Sequence, residues 1–111
     1  MAVLSSHTLN GTDGTHAGGI AVTLTNLTDG TIVFNARMDD GGRLSQDIDA
    51  QVIDPDVTYE LVFDTGPYWA ARNFPATVTQ IALRFAMPDP EGKYHMPVIL
   101  NPNSYSMWTS R

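Results

Sequence analysis

GIAVTLTNLTDGTIVFNARM, residues 19–38, is the stretch that decides the fold. In each half, apolar side chains alternate with small or polar ones, which is the period of a strand that buries one face. Between the halves, the Thr-Asp-Gly sequence at 28–30 is typical of a hairpin turn. The stretch therefore predicts two antiparallel strands, and the Asp-Asp-Gly-Gly run at 39–42 predicts the end of the second.

The rest of the chain repeats this pattern of short β-rich segments and turn signals. Pro97 is expected at an edge or bulge, residues 45–56 as a surface connection or short edge strand, and residues 67–72 as the one short helix. We therefore predict an all-β fold, an antiparallel β-sandwich of seven to eight strands with one short helix, as a single domain over residues 1–111. The further strands are expected at residues 3–9, 59–63, 78–85, 93–100 and 104–108.

Charge and composition exclude several functional classes. Twelve acidic residues against six basic ones give a formal net charge of −6, which is the wrong sign for binding nucleic acid. No apolar run is long enough for a membrane span, and the first nine residues are too polar for a signal peptide, so we expect no membrane and a cytoplasmic protein. With no cysteine, disulfides and thiolate chemistry are excluded.

Three residues have ionisable side chains that strands and turns do not require: His7, Arg43 and His95. Taken singly, each also fits a surface position, since lone histidines are common on half-exposed strands and arginines in turns. His16 lies in a Gly/Thr-rich loop, and we assign it no role. Histidines without cysteine or a suitably spaced carboxylate make a weak zinc signature, so no metal and no cofactor are predicted.

Six segments along the chain form a recognisable series: LSSHTL at 4–9, GGIAV at 18–22, FDTG at 63–66, YWAAR at 68–72, YHMPVIL at 94–100 and YS at 105–106. Together they resemble the transthyretin-related proteins, a family that includes 5-hydroxyisourate hydrolases. The resemblance covers nearly the whole chain in the family's order.

This resemblance implies a transthyretin-like sandwich and hydrolysis of 5-hydroxyisourate, a purine-derived small molecule, to 2-oxo-4-hydroxy-4-carboxy-5-ureidoimidazoline. The family's catalytic residues fall on His7, Arg43 and His95, and its C-terminal substrate-binding element falls near Ser110 and Arg111. Two motifs differ. The arginine turn reads Asp-Gly-Gly-Arg at 40–43, without the family's aspartate before the last glycine, and Trp-Thr-Ser-Arg at 108–111 replaces Tyr-Arg-Gly-Ser.

The implied chemistry suits the three residues. A histidine that titrates near neutral pH can take a proton from water, and the residues leave open whether this base is His7 or His95. Arg43 can stabilise the negative charge that develops on a carbonyl under attack. The resemblance also implies a homotetramer, a dimer of dimers. The alternatives are a non-catalytic transthyretin-like binding protein for small aromatic ligands and a purely structural sandwich.

Overall fold

The computed structural model describes residues 1–110 as two β-sheets around one apolar core. A 3₁₀ helix follows β4 and a short α-helix, α1, follows β5. The elements are β1 (Ala2–Asn10), β2 (Ala21–Asn26), β3 (Ile32–Arg37), β4 (Arg43–Ile48), the 3₁₀ helix (Ala50–Val52), β5 (Tyr59–Asp64), α1 (Gly66–Ala71), β6 (Ile81–Phe85), β7 (Lys93–His95), β8 (Val98–Asn101) and β9 (Ser104–Met107).

The predicted hairpin is confirmed as the β2–β3 pair, which is antiparallel with Val22 opposite Ala36. It forms one edge of the second sheet, whose strand order is β3-β2-β5-β6. The first sheet has the order β4-β1-β8-β9, and β7 also pairs with β1. The core between the sheets is built from the inward residues of both, and its largest fully buried side chains include Trp69, Tyr59 and Phe63.

Strand β1 is the centre of the first sheet and alternates strictly along its length. Its even-numbered residues are buried and its odd-numbered ones from Val3 to Leu9 are partly exposed. The small polar side chains on the inward face are satisfied locally, since Thr8 Oγ1 donates to the carbonyl of Ala17 at 2.6 Å. The outward face of β1 is therefore the side on which polar residues can meet solvent or a ligand.

The predicted β-sandwich with one short helix is confirmed, with two differences. There are nine strands among residues 1–110, because Pro97, which has no N–H to donate, separates residues 93–100 into β7 and β8. The sandwich is also not wholly antiparallel, since β7 and β8 run parallel to β1. They return to the first sheet only after the chain has passed through the second, so their direction is not set by a hairpin with β1.

The structure also tests the predictions made for the short helix and for residues 45–56. Helix α1 begins at Gly66, with Pro67 in its first turn, and ends at Ala71, one residue before the predicted end. Residues 45–56 contain both predicted alternatives: the edge strand β4, which begins earlier, at Arg43, and ends at Ile48, and then a largely exposed connection that includes the 3₁₀ helix. No helix within residues 1–110 is long and apolar enough to cross a membrane.

Candidate active site

The three residues predicted from the sequence come together on the outward face of the first sheet. On β1, Ser5 and His7 are two residues apart and so project to the same side. In the register of the sheet, His7 lies opposite Arg43 of β4, and Ser5 lies between Ser45 of β4 and His95 of β7. Pairing across β1 therefore places an arginine and two histidines on adjacent strands, although they are far apart in sequence.

Arg43 is positioned by the turn that precedes β4. Its backbone N–H donates to Asp39 Oδ1 at 2.8 Å, and its carbonyl accepts from the Asp39 N–H at 2.9 Å. Gly42 has φ +72°, and a Cβ atom there would lie 2.4 Å from the carbonyl oxygen of Thr8. Only glycine fits this close approach. The turn is thus fixed by Asp39 and Gly42 rather than by an aspartate directly before the last glycine.

The guanidinium of Arg43 is exposed and available for a ligand. The ion pairs found within residues 1–110 join the N-terminus to Glu91 and Arg84 to Glu60, so no carboxylate of that range neutralises Arg43. An arginine that is not paired internally keeps its fork of N–H donors for an external oxygen.

His95 is oriented by β1. Its Nδ1 lies 2.8 Å from Ser5 Oγ, and the N–H of Met96 donates to the Ser5 carbonyl at 2.9 Å. On the opposite face, Ser6 Oγ donates to the Met96 carbonyl at 2.7 Å in a buried hydrogen bond. These contacts fix the backbone at the end of β7 and leave Nε2 of His95 without a hydrogen-bond partner among residues 1–110.

Two cavities meet at His95. One, of about 260 Å³, has Arg43, Ser5 and His95 in its wall, and the other, of about 610 Å³, has His95 and Ser110. His7 lines neither cavity but is the cross-strand neighbour of Arg43, which lines the smaller one. The backbone N–H of Ser110 donates to the carbonyl of His95 at 2.9 Å, so Ser110 lies beside the histidine. The predicted role of Arg111 lies outside the described residues.

His16, to which the sequence analysis assigned no role, is in contact with His7. Its Nδ1 lies 2.8 Å from His7 Nε2, and the two rings stack with centroids 4.9 Å apart and planes inclined by 26°. The signal that could have revealed it is the Asp-Gly sequence at 13–14. A turn there folds the chain back along β1 and pairs His16 with Leu9, which lies on the same face as His7.

The surroundings lower the pKa of His7 below its ordinary value of 6.5. Partial burial is the largest cause, followed by the positive charges of Arg43 and of a protonated His16, while a hydrogen bond with the backbone of Gly41 acts the other way. His7 is therefore uncharged near neutral pH and able to accept a proton.

Within residues 1–110, no three His, Cys, Asp or Glu side chains are grouped as a metal site would require. Among these residues, the face presents an uncharged histidine, an arginine without an acidic partner from the described part of the chain, and a second histidine whose Nε2 has no hydrogen-bond partner there. A proton acceptor beside a cation that can stabilise an oxyanion suits the addition of water to a carbonyl group.

The chain is similar to known proteins along nearly its whole length. Residues 4–109 match the family model described as "HIUase/Transthyretin family". The chain is 30% identical to a 5-hydroxyisourate hydrolase of Pseudomonas aeruginosa over 97% of this chain and 90% of that protein. It is 31% identical to the 5-hydroxyisourate hydrolase of Deinococcus radiodurans over 95% of this chain and 92% of that protein.

Among solved structures, the chain is similar to transthyretin from Sparus aurata. The two superpose with a TM-score of 0.84 at 26% identity, covering 96% of this chain and 95% of that one. The two-sheet arrangement is thus shared along almost the full length of both chains.

Proposed function

The chain belongs to the HIUase/Transthyretin family, and from that premise we propose that it hydrolyses 5-hydroxyisourate. The relatives that it covers almost completely are hydrolases of this compound. The single observation that carries the proposal is the meeting of His7, Arg43 and His95 on one face of the first sheet. The product is 2-oxo-4-hydroxy-4-carboxy-5-ureidoimidazoline, formed in the degradation of urate.

Each residue has a role that follows from its surroundings. His7 is uncharged near neutral pH, so it takes the proton from water as the oxygen attacks the ring carbonyl. Arg43 donates to the carbonyl oxygen and stabilises the charge that develops there. His95 is held at Nδ1 by Ser5, which leaves Nε2 to protonate the ring nitrogen as the C–N bond breaks.

The substrate-binding residues are also a proposal. Ser110 is the candidate within the described residues, because its N–H is bonded to the His95 carbonyl and it shares the wall of the larger cavity with that histidine. From the resemblance we propose Arg111 as the second. In the sequence they are the last two residues of Trp-Thr-Ser-Arg at 108–111, which replaces the family's Tyr-Arg-Gly-Ser ending, so we expect them to affect the strength of substrate binding.

The alternative function is that of a non-catalytic transthyretin-like binding protein for small aromatic ligands. The similarity to a transthyretin at 26% identity is the observation in its favour. Against it stands the cluster of His7, Arg43 and His95, since a pocket that only holds an aromatic ligand is lined mainly by apolar groups.

We also propose that the protein assembles as a homotetramer, a dimer of dimers. Within residues 1–110, β9 lies at one end of the first sheet and β6 at one end of the second, and the outer edge of each pairs with no further strand, so a second copy can pair there. Tyr105 and Trp108, in and just after β9, are 43% and 45% exposed, which is high for large aromatic side chains. Size-exclusion chromatography with light scattering is expected to give four times the chain mass, and a monomer would rule out the proposal.

The function is tested by generating 5-hydroxyisourate in situ from urate with urate oxidase and following its ultraviolet absorbance. The protein is expected to accelerate the decay, and His95→Ala and Arg43→Ala are expected to remove the acceleration. Arg84→Ala, which removes an exposed arginine from the other sheet, is the matched control and should retain full activity. A decay no faster than the spontaneous one with the unaltered protein would overturn the proposal.

A further inference from the structure

We propose that His16 is a positioning residue for His7, which holds the His7 ring in place and couples its tautomer to that of His16. The contact between His7 Nε2 and His16 Nδ1 at 2.8 Å, with the rings stacked, is the observation that carries this inference. It rests on the proposed hydrolase function and deepens it, because it adds a second imidazole to the group that takes the proton from water.

The loop that holds His16 is firmly attached to β1. The N–H of Asn10 donates to the Thr15 carbonyl at 2.8 Å, and the N–H of Ala17 donates to the Thr8 carbonyl at 2.9 Å. The backbone on both sides of His16 is thereby bonded to β1. Ala17 is also fully buried, which anchors the loop in the core. His16 therefore approaches His7 from a fixed backbone rather than from a free surface loop.

The contact couples the tautomers of the two rings. His7 Nε2 and His16 Nδ1 lie 2.8 Å apart, so when both rings are uncharged one hydrogen lies between them and one ring donates it to the other. His7 also has a hydrogen bond with the backbone of Gly41. His16 and Gly41 therefore hold the ring of His7 together, and loss of His16 removes one of its two partners.

The same contact opposes a charge on both rings at once. A doubly charged pair would place two N–H groups against each other at the contact, so protonation of His16 disfavours protonation of His7. The other charged or titratable groups that act on His7 are Arg43 of β4 and His95 of β7, and both oppose its protonation. Loss of His16 therefore moves the pKa of His7 upward, towards its ordinary value.

Two variants separate the hydrogen bond from simple packing. His16→Phe keeps an aromatic ring that can stack on His7 but removes the hydrogen-bond partner, whereas His16→Gln keeps an amide that can form a hydrogen bond with Nε2 in either direction. Hydrolysis of 5-hydroxyisourate by His16→Phe is expected to fall about tenfold in kcat, the effect of one lost hydrogen bond, with little change in KM. The acid limb of its pH–rate profile is expected to move to higher pH, and His16→Gln should recover part of kcat.

Asp13→Asn is the matched control, because it removes a charge from the same loop without contact to either histidine. It is expected to have the kcat and pH profile of the unaltered protein. The inference would be overturned if His16→Phe had the same kcat and the same acid limb of the pH–rate profile as Asp13→Asn.

Nitrogen-15 NMR of the imidazole rings tests the inference without any turnover. Where both rings are uncharged, His7 and His16 of the unaltered protein are expected to have the same tautomer, with hydrogen on Nε2 of both or on Nδ1 of both. In His16→Phe, His7 is expected to become a mixture of tautomers. Opposite tautomers of His7 and His16, or identical His7 tautomer populations in the two proteins, would contradict it. Failure of hydrolysis by the unaltered protein would instead reject the proposed function, so the two failures can be told apart.

Discussion

Arg43 and His7 face each other across the β1–β4 pair, and this pairing governs charge at the site. A positive arginine on the adjacent strand disfavours a second positive charge, so it helps to keep His7 uncharged. In the proposed reaction the same arginine stabilises an oxyanion. In that reaction Arg43 would both lower the pKa of His7 and stabilise the negative charge that forms when His7 takes a proton from water.

The lowered pKa of His7 predicts the pH dependence of activity. Because the base must be unprotonated, kcat/KM is expected to fall as the pH drops through the folded-state pKa of His7, which lies below 6.5. Between that pKa and 6.5 the unfolded chain binds more protons than the folded one at this residue, so the free energy of unfolding also decreases as the pH falls. A pH–rate profile checks this, and an acid limb centred above 6.5 would contradict it.

Replacing Arg43 by lysine tests whether its planar fork matters. A lysine keeps the charge but not the paired donors, so we expect Arg43→Lys to reduce kcat/KM by about 10²-fold, comparable to the loss of one oxyanion-hole donor. Arg84→Lys makes the same change on the opposite sheet and should leave kcat/KM unaltered. Equal activity of Arg43→Lys and the unaltered protein would show that charge alone is sufficient.

At the scale of the elements, β1 organises the site because it has a different function on each face. Its inward side chains are buried against the core and the adjoining loops, whereas Ser5 and His7 point to the outward face. Its two edges pair with β4 and with β7 and β8, and so bring Arg43 and His95 to either side.

Two adjacent serines of β1 are predicted to give opposite phenotypes. Ser6→Ala removes a buried hydrogen bond and leaves the Met96 carbonyl unsatisfied, so the free energy of unfolding should fall by about 1–3 kcal/mol. Ser5→Ala removes the partner of His95 Nδ1 on the open face, so kcat should fall with little loss of stability. Urea unfolding and steady-state kinetics measure the two effects, and the reverse pattern would mean that the faces of β1 are wrongly assigned.

The strands were predictable from the sequence because alternation and turn signals are local. Residues 19–38 specify their hairpin by themselves, and Pro97 marks the break between β7 and β8. The parallel pairing of β1 with β7 was not predictable, since no local signal connects segments that are about 90 residues apart. Recognition of the family indicated His7, Arg43 and His95, but it gave no reason to select His16. His16 reaches His7 because the loop after β1 folds back along that strand.

At the scale of the whole molecule, Ser110, the last residue that the structure describes, lies beside His95 of the site. The backbone N–H of Ser110 donates a hydrogen bond to the His95 carbonyl. Deletion of residues 109–111 is therefore expected to reduce kcat/KM more than it reduces stability. Thermal unfolding and kinetics of the truncated protein measure the two quantities. Loss of the proposed tetramer in the truncated protein would show instead that this segment serves assembly.

The central claim is that the protein turns over 5-hydroxyisourate rather than merely binding it. The most direct test adds the protein at about one-hundredth of the concentration of freshly generated 5-hydroxyisourate and follows the ultraviolet decay. The account predicts that the entire pool decays faster than it does spontaneously, at a rate proportional to protein concentration. The account would be contradicted if 5-hydroxyisourate decayed only at its spontaneous rate under these conditions and more slowly when protein and compound are equimolar. That pair of results would identify a binding protein.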